Sequence, residues 1–228
     1  SGGLRLFRGP GPARLYPAEP ESGQRGRPVR SIRFGRAGAG GMLENRDMQP
    51  LPPLYPITSV LGEEPPGRQV LRFGEAGYPL VQFRGKPLQP DEQWRQLRGC
   101  LEHARENGGW PLVVVNDRAD LAVLAAGEGL APWGLHLGQE DLPASQARSL
   151  PGLAGLHIGA STHSPAEWSR LDPACDHAGA GPYRATRTKP DHAPPIGAEG
   201  LGQACRALRA WASTNSGLVA GCSASGGA

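Results

Sequence analysis

Arg84, Lys86 and Lys189 supply positive charge in this sequence, Asn116, Ser161, Thr186 and Thr188 supply neutral hydrogen-bonding groups, and Asp117 and Asp141 supply carboxylates. Cations interleaved with hydroxyls and amides suit phosphate or pyrophosphate oxygens. Carboxylates among those cations call for a second reason. Magnesium is commonly held by one or two carboxylates together with substrate phosphates, so a metal-bound diphosphate reconciles both signs of charge. Lysine is used sparingly: of 24 basic residues only Lys86 and Lys189 are lysines, and the rest are arginines. A compact ammonium is not interchangeable with a planar guanidinium, which singles out these two positions. Each acid also has a simpler reading. Asp117 could cap a helix starting at Ala119, and Asp141 a helix beginning at Pro143. Arg84 and Lys86 could be solvated charges. His136 and His157, inside strand-like runs, read as hydrogen-bonded core histidines, and His163 in "STHS" favours neither role. No Ser/His/Asp or Cys/His order suggests a covalent nucleophile, and no glycine-rich loop matches a P-loop.

The elements that must position these groups alternate. "LYPIT" (54–58), "PLVQF" (79–83), "LVVV" (112–115), "GLHL" (134–137), "GLHIG" (155–159) and "DHAGAG" (176–181) read as strands, with a seventh at "GLVA" (217–220). Between them Trp94, Leu97, Leu101 and Ala104 share a helical face, as do Leu201, Cys205, Leu208 and Ala212. Strands alternating with helices imply parallel pairing through right-handed crossovers. The polar segments each follow a strand, at the end where barrels and open α/β sheets bind ligands. The expected fold is therefore α/β, a TIM (β/α)8-type barrel over residues 51–228. It is expected to be incomplete at its C-terminus: such barrels take about 250 residues, and the small-residue tail after Trp211 offers little bulk for a last strand and helix.

Composition narrows the function classes. Residues 1–50 carry nine arginines against Glu19, Glu21, Glu44 and Asp47 and show no periodicity, so they read as a disordered basic Gly/Pro/Arg-rich extension. Beyond them the chain is mildly acidic, with no broad nucleic-acid footprint. No apolar run reaches the ~18 residues of a membrane span. Cys100, Cys175, Cys205 and Cys222 lack metal-binding spacing and read as reduced thiols of a cytoplasmic protein.

Taken together, "LYPITS", "QFRGK", "NDRADLA", "GLHLGQEDLP", "IGASTHS" and "GPYRATRTKPDHAPPIGAEGL" resemble thiamine phosphate synthase over roughly residues 51–203. That resemblance implies a transferase that joins hydroxymethylpyrimidine diphosphate to a thiazole phosphate and releases pyrophosphate. It implies that Gln82, Arg84, Lys86, Asn116, Ser161 and Lys189 bind the pyrimidine diphosphate, with Arg84, Lys86 and Lys189 serving catalysis. Asp117 and Asp141 would hold Mg2+, and Thr186 and Thr188 would contact the thiazole phosphate. The implied partners are small molecules, with no nucleic acid or membrane, and a homo-oligomer is left open. The sequence departs from the family at Gly85, where an acidic residue is frequent, at Tyr183 and Arg184, where an apolar pair is usual, and at Arg187. The closing "AGCSASGGA" also lacks the Gly-Gly turn and small-residue strand whose amides bind the thiazole phosphate. Alternatives are a thiazole tautomerase of the same fold, a non-catalytic truncated barrel and a phosphate-binding module.

Overall fold

The computed structural model describes residues 51–185, 193–214 and 222–224. The basic extension expected over residues 1–50 and the strand expected at 217–220 lie outside them. Six strands form one parallel sheet in chain order: β1 (Leu80–Phe83), β2 (Leu112–Asn116), β3 (Gly134–Leu137), β4 (His157–Thr162), β5 (His177–Ala180) and β6 (Cys222–Ala224). Helices α1 (Pro66–Glu75), α2 (Pro90–Glu106), α3 (Ala119–Gly127), α4 (Ala144–Arg148), α5 (Pro165–Ser169) and α6 (Gly197–Thr214) alternate with them. Strands follow one another without a reversal, unlike a doubly wound sheet, and the arrangement is consistent with part of a barrel wall.

Two expectations about strands are corrected. Residues 54–58 do not form a strand of their own: Ile57 makes a single parallel bridge to Gln82, supported by Gln82 N–H to Pro56 O and Thr58 N–H to Gln82 O, both 2.9 Å. Pro52, Pro53 and Pro56 lack the N–H groups a longer ladder requires. The small-residue tail, in turn, does supply a strand. Cys222–Ala224 pairs with Ala178–Ala180, because a ladder is made by backbone groups and needs no side-chain bulk.

Alternation along the strands divides the sheet into two unlike faces. Val81, Phe83, Val113, Val115, Leu135, Leu137, Ile158, Ala178 and Ala180 are buried in the apolar core. Leu97, Leu101 and Ala104 of α2 join that core, as their spacing predicts, and Trp94 packs against it. On α6 the buried residues are Ala204 and Leu208, while the expected Cys205 is only half-buried. The other face of the sheet is polar and arranged in rows by register. Gln82, Val114, Gly134 and His157 form one row. Asn116, His136, Gly159 and His177 form the next toward the carboxyl end.

Candidate active site

The turn after β2 builds the centre of the site. Arg118 N–H bonds Asn116 O at 2.8 Å and Ala119 N–H bonds Asp117 O at 3.1 Å, so the chain reverses within three residues. Asp117 takes up a left-handed backbone with φ 61°, unusual for a residue with a side chain though better tolerated by Asp than most. Its N–H is held by His136 O at 2.8 Å. This geometry turns the Asp117 carboxylate toward the strand ends and not toward the helix that follows. The capping alternative is thereby overturned: neither α3 nor α4 has a side-chain cap. Arg118, though part of the same tripeptide, ties itself to Asp120 at 2.8 and 2.5 Å and to Gln93 at 3.2 Å.

Asp117 Oδ2 pairs with Lys86 Nζ at 2.5 Å, and Asp117 Oδ1 accepts from Asn116 Nδ2 at 2.9 Å. Lys86 is therefore not merely a solvated charge, although its side chain remains half exposed. Asp141 reaches the same place from the β3–α4 loop, where its Oδ2 accepts the Gly138 N–H at 2.6 Å. Gly138 allows this approach, since a Cβ there would lie 3.1 Å from Asp141 Oδ2 and 3.9 Å from Asp117 Oδ1. Burial, above all, raises the Asp141 carboxyl above its ordinary pKa, and the neighbouring Asp117 pushes the same way, against the Gly138 N–H and Lys86. Two carboxylates converging beside a lysine form a donor set suited to a hard divalent cation. No cluster of three His, Cys, Asp or Glu side chains of metal-binding geometry occurs among the described residues. A cavity of about 400 Å3 lies alongside, lined by Gly138, Gln139, Asp141 and Ala160 among others.

The remaining expected residues are placed as follows. Gln82 is buried in β1, one row below Asn116. Arg84 follows β1 directly, with its N–H and C=O both bonded to Thr58 Oγ1 at 2.8 and 3.1 Å. Thr58 is thus a supporting residue that sequence reasoning did not single out. Ser161 lies near the end of β4, its carbonyl accepting from Gln139 Nε2 and its Oγ 3.0 Å from His136 Nε2. Thr186, Thr188 and Lys189 lie outside the described residues. His136 and His157 are hydrogen-bonded, as their core reading requires, and the partner they share is His177, which sequence reasoning missed. His163 Nδ1 lies within hydrogen-bond distance of the Gly181 carbonyl. Cys100 and Cys175 are buried free thiols, each pushed by burial up to about 12.

A parallel α/β wall brings Lys86, Asn116, Asp117 and Asp141 together at the carboxyl ends of its strands. The chain belongs to the thiamine monophosphate synthase family, whose model matches residues 54–225. The thiamine-phosphate synthase of Moorella thermoacetica is 38% identical over 156 residues, 68% of this chain and 69% of that protein. That of Pelotomaculum thermopropionicum is 38% identical over 133 residues, 58% of this chain and 57% of that one. Among solved structures, the thiamine phosphate pyrophosphorylase of Pyrococcus furiosus superposes with a TM-score of 0.54 at 26% identity, covering 75% of this chain and 73% of that one. The chain spans about half the length of several curated relatives it matches, 57% of the Pelotomaculum protein and 36% of one from Synechococcus. No described helix is long and apolar enough to cross a membrane.

Proposed function

We propose that the protein is a thiamine phosphate synthase built on part of a (β/α)8-type barrel. It would transfer the hydroxymethylpyrimidine group from its diphosphate to a thiazole phosphate, giving thiamine phosphate and pyrophosphate. The observation that carries this reading is the cluster of Lys86, Asn116, Asp117 and Asp141 at the carboxyl ends of parallel strands. A triad is not needed. The bond that breaks joins the pyrimidine methylene carbon to a diphosphate oxygen, the electron pair leaves with the diphosphate, and the thiazole nitrogen supplies the pair that forms the new bond.

Asp117 and Asp141 are the residues that would hold magnesium, a choice supported by the convergence of both carboxylates on Gly138. When bound, the ion would neutralise negative charge developing on the departing diphosphate. Lys86, Arg84 and, by family likeness, Lys189 would bind the diphosphate oxygens as they gain charge, a stabilisation worth several kcal/mol in a water-poor site. With a diphosphate present, Lys86 would exchange part of its interaction with Asp117 for the ligand. Asn116 orients Asp117 through its amide, and Gln82 lies below as a buried amide for the pyrimidine. Ser161 would donate its hydroxyl to a phosphate oxygen. Thr186 and Thr188 would take the thiazole phosphate. The test is a coupling assay with both substrates and magnesium, comparing wild type with Lys189→Ala and Asp117→Ala. Each variant should lose most thiamine phosphate formation, and activity surviving both would sink the site assignment.

A further inference from the structure

We propose that His157, His177 and His136 form a hydrogen-bond relay that holds the Ser161 hydroxyl as an outward donor to the anionic ligand group. The identity of that group as a diphosphate rests on the function proposed above. The relay itself rests on three linked contacts and on a glycine. His157 Nε2 lies 3.0 Å from His177 Nδ1, His177 Nε2 lies 3.3 Å from His136 Nδ1, and His136 Nε2 lies 3.0 Å from Ser161 Oγ. The line climbs the polar face of the sheet through three successive rows, from the start of β4 to its far end. It also crosses a strand. His177 on β5 reaches His136 on β3 by passing over Gly159 of β4, where a Cβ would lie 1.9 Å from His177 Cε1. At the lower end Trp133 stacks on His157, ring centroids 4.4 Å apart.

The chemistry of neutral imidazoles makes such a line directional. Each ring has one N–H and one bare nitrogen, and each ring–ring contact needs one hydrogen. Burial holds both His177 and His157 below the ordinary histidine pKa, which keeps these rings neutral near pH 7. With His136 in the neutral form as well, two arrangements satisfy every contact. If all three rings carry the hydrogen on Nε2, His157 donates to His177, His177 to His136 and His136 to Ser161 Oγ, and the Ser161 O–H points elsewhere. If all three carry it on Nδ1, the line runs backwards and the Ser161 hydrogen is spent on His136. A mixed pattern leaves one contact with two hydrogens or none. A deprotonated diphosphate oxygen at Ser161 accepts but cannot donate, and so selects the first arrangement. Gln139, bonded to the Ser161 carbonyl, fixes the backbone from which that hydroxyl projects. His157 and His177 are thus positioning residues, acting on the ligand through His136 and Ser161.

Two measurements test this on the full chain. Long-range 1H–15N correlation spectra of the wild-type imidazoles at neutral pH, with pyrophosphate and magnesium present, should show His136, His157 and His177 all in the Nε2–H form. A mixed or all-Nδ1–H pattern with pyrophosphate present would overturn the relay. Calorimetric titration of inorganic pyrophosphate with magnesium should then show His177→Phe and Ser161→Ala each binding about three- to tenfold more weakly, the range of one ordinary hydrogen bond. The double variant should bind no more weakly than either single one. Independent, multiplying losses, or a His177→Phe chain with unchanged affinity, would reduce His177 to packing and refute the proposal. A wild-type chain that binds no pyrophosphate would overturn the diphosphate assignment, whereas one that binds it with the three imidazoles in any other pattern would overturn the relay alone.

Discussion

Alanine at position 159 should be far more destabilising than a single methyl group suggests. Its Cβ would lie 1.9 Å from His177 Cε1, 2.3 Å from Nε2 and 2.6 Å from Nδ1. Non-bonded carbons settle near ~3.5 Å, so the ring must move by roughly 1.5 Å. That displacement breaks both of its hydrogen bonds, at 3.0 Å to His157 and 3.3 Å to His136. Each bond contributes about 1 kcal/mol net, and a buried nitrogen left without a partner costs about 1–3 kcal/mol more, giving a loss of about 3 kcal/mol. For a chain of this size that is a fall of roughly 6–12 °C in Tm. Thermal unfolding of Gly159→Ala followed by circular dichroism measures it. A double-mutant cycle with His177→Ala isolates the cause, because removing the ring should make the alanine at 159 nearly neutral. A loss under about 1 kcal/mol, or an equal loss in both backgrounds, would refute the reasoning.

Other outcomes follow from the same structure. Arg148 bonds the carbonyls of Ala154, Leu156 and Ala174 and pairs with the buried Asp176, whose carboxylate also accepts the Ile158 N–H at 2.7 Å. Arg148→Ala strands that charge and should cost about 3–5 kcal/mol in denaturant unfolding, whereas Arg148→Ala with Asp176→Asn should recover part of it. His177 and His157 have depressed pKa values in the folded chain, so the unfolded chain binds more protons below about pH 6.5. Stability should therefore be full above that pH and fall by about 1.4 kcal/mol per pH unit below it for each ring that stays neutral, and His177→Phe should flatten the curve. Asp141→Asn removes a disfavoured charge while its amide oxygen can still accept the Gly138 N–H. It should raise Tm in metal-free buffer, and magnesium, which under the proposed function should raise the wild-type Tm further, should leave this variant's Tm unchanged.

The central strands were legible because Val113, Val114 and Val115, like Leu135 and Leu137, are apolar over runs too short for a helix. Edges were harder to read. The run 54–58 has strand-like side chains, but its prolines restrict pairing, while Cys222–Ala224 has none of the bulk that marks a strand yet pairs in register with Ala178–Ala180. At the site, residue types identified Lys86, Asp117 and Asp141, and local spacing could not decide between capping and ligand roles. The structure excludes capping, because the left-handed turn at Asp117 brings together loops 24 residues apart in chain. His177 was missed because its partners lie on other strands. The available signal was a histidine in a strand of small residues, paired in register with a glycine that leaves its ring room.

The most direct test of the account is the stoichiometry of the wild-type reaction with hydroxymethylpyrimidine diphosphate, thiazole phosphate and magnesium. One thiamine phosphate should form for each pyrophosphate released, and chelation of the metal should stop both. Pyrophosphate release without thiamine phosphate, or no reaction from a chain that circular dichroism shows to be folded, would contradict the assigned function.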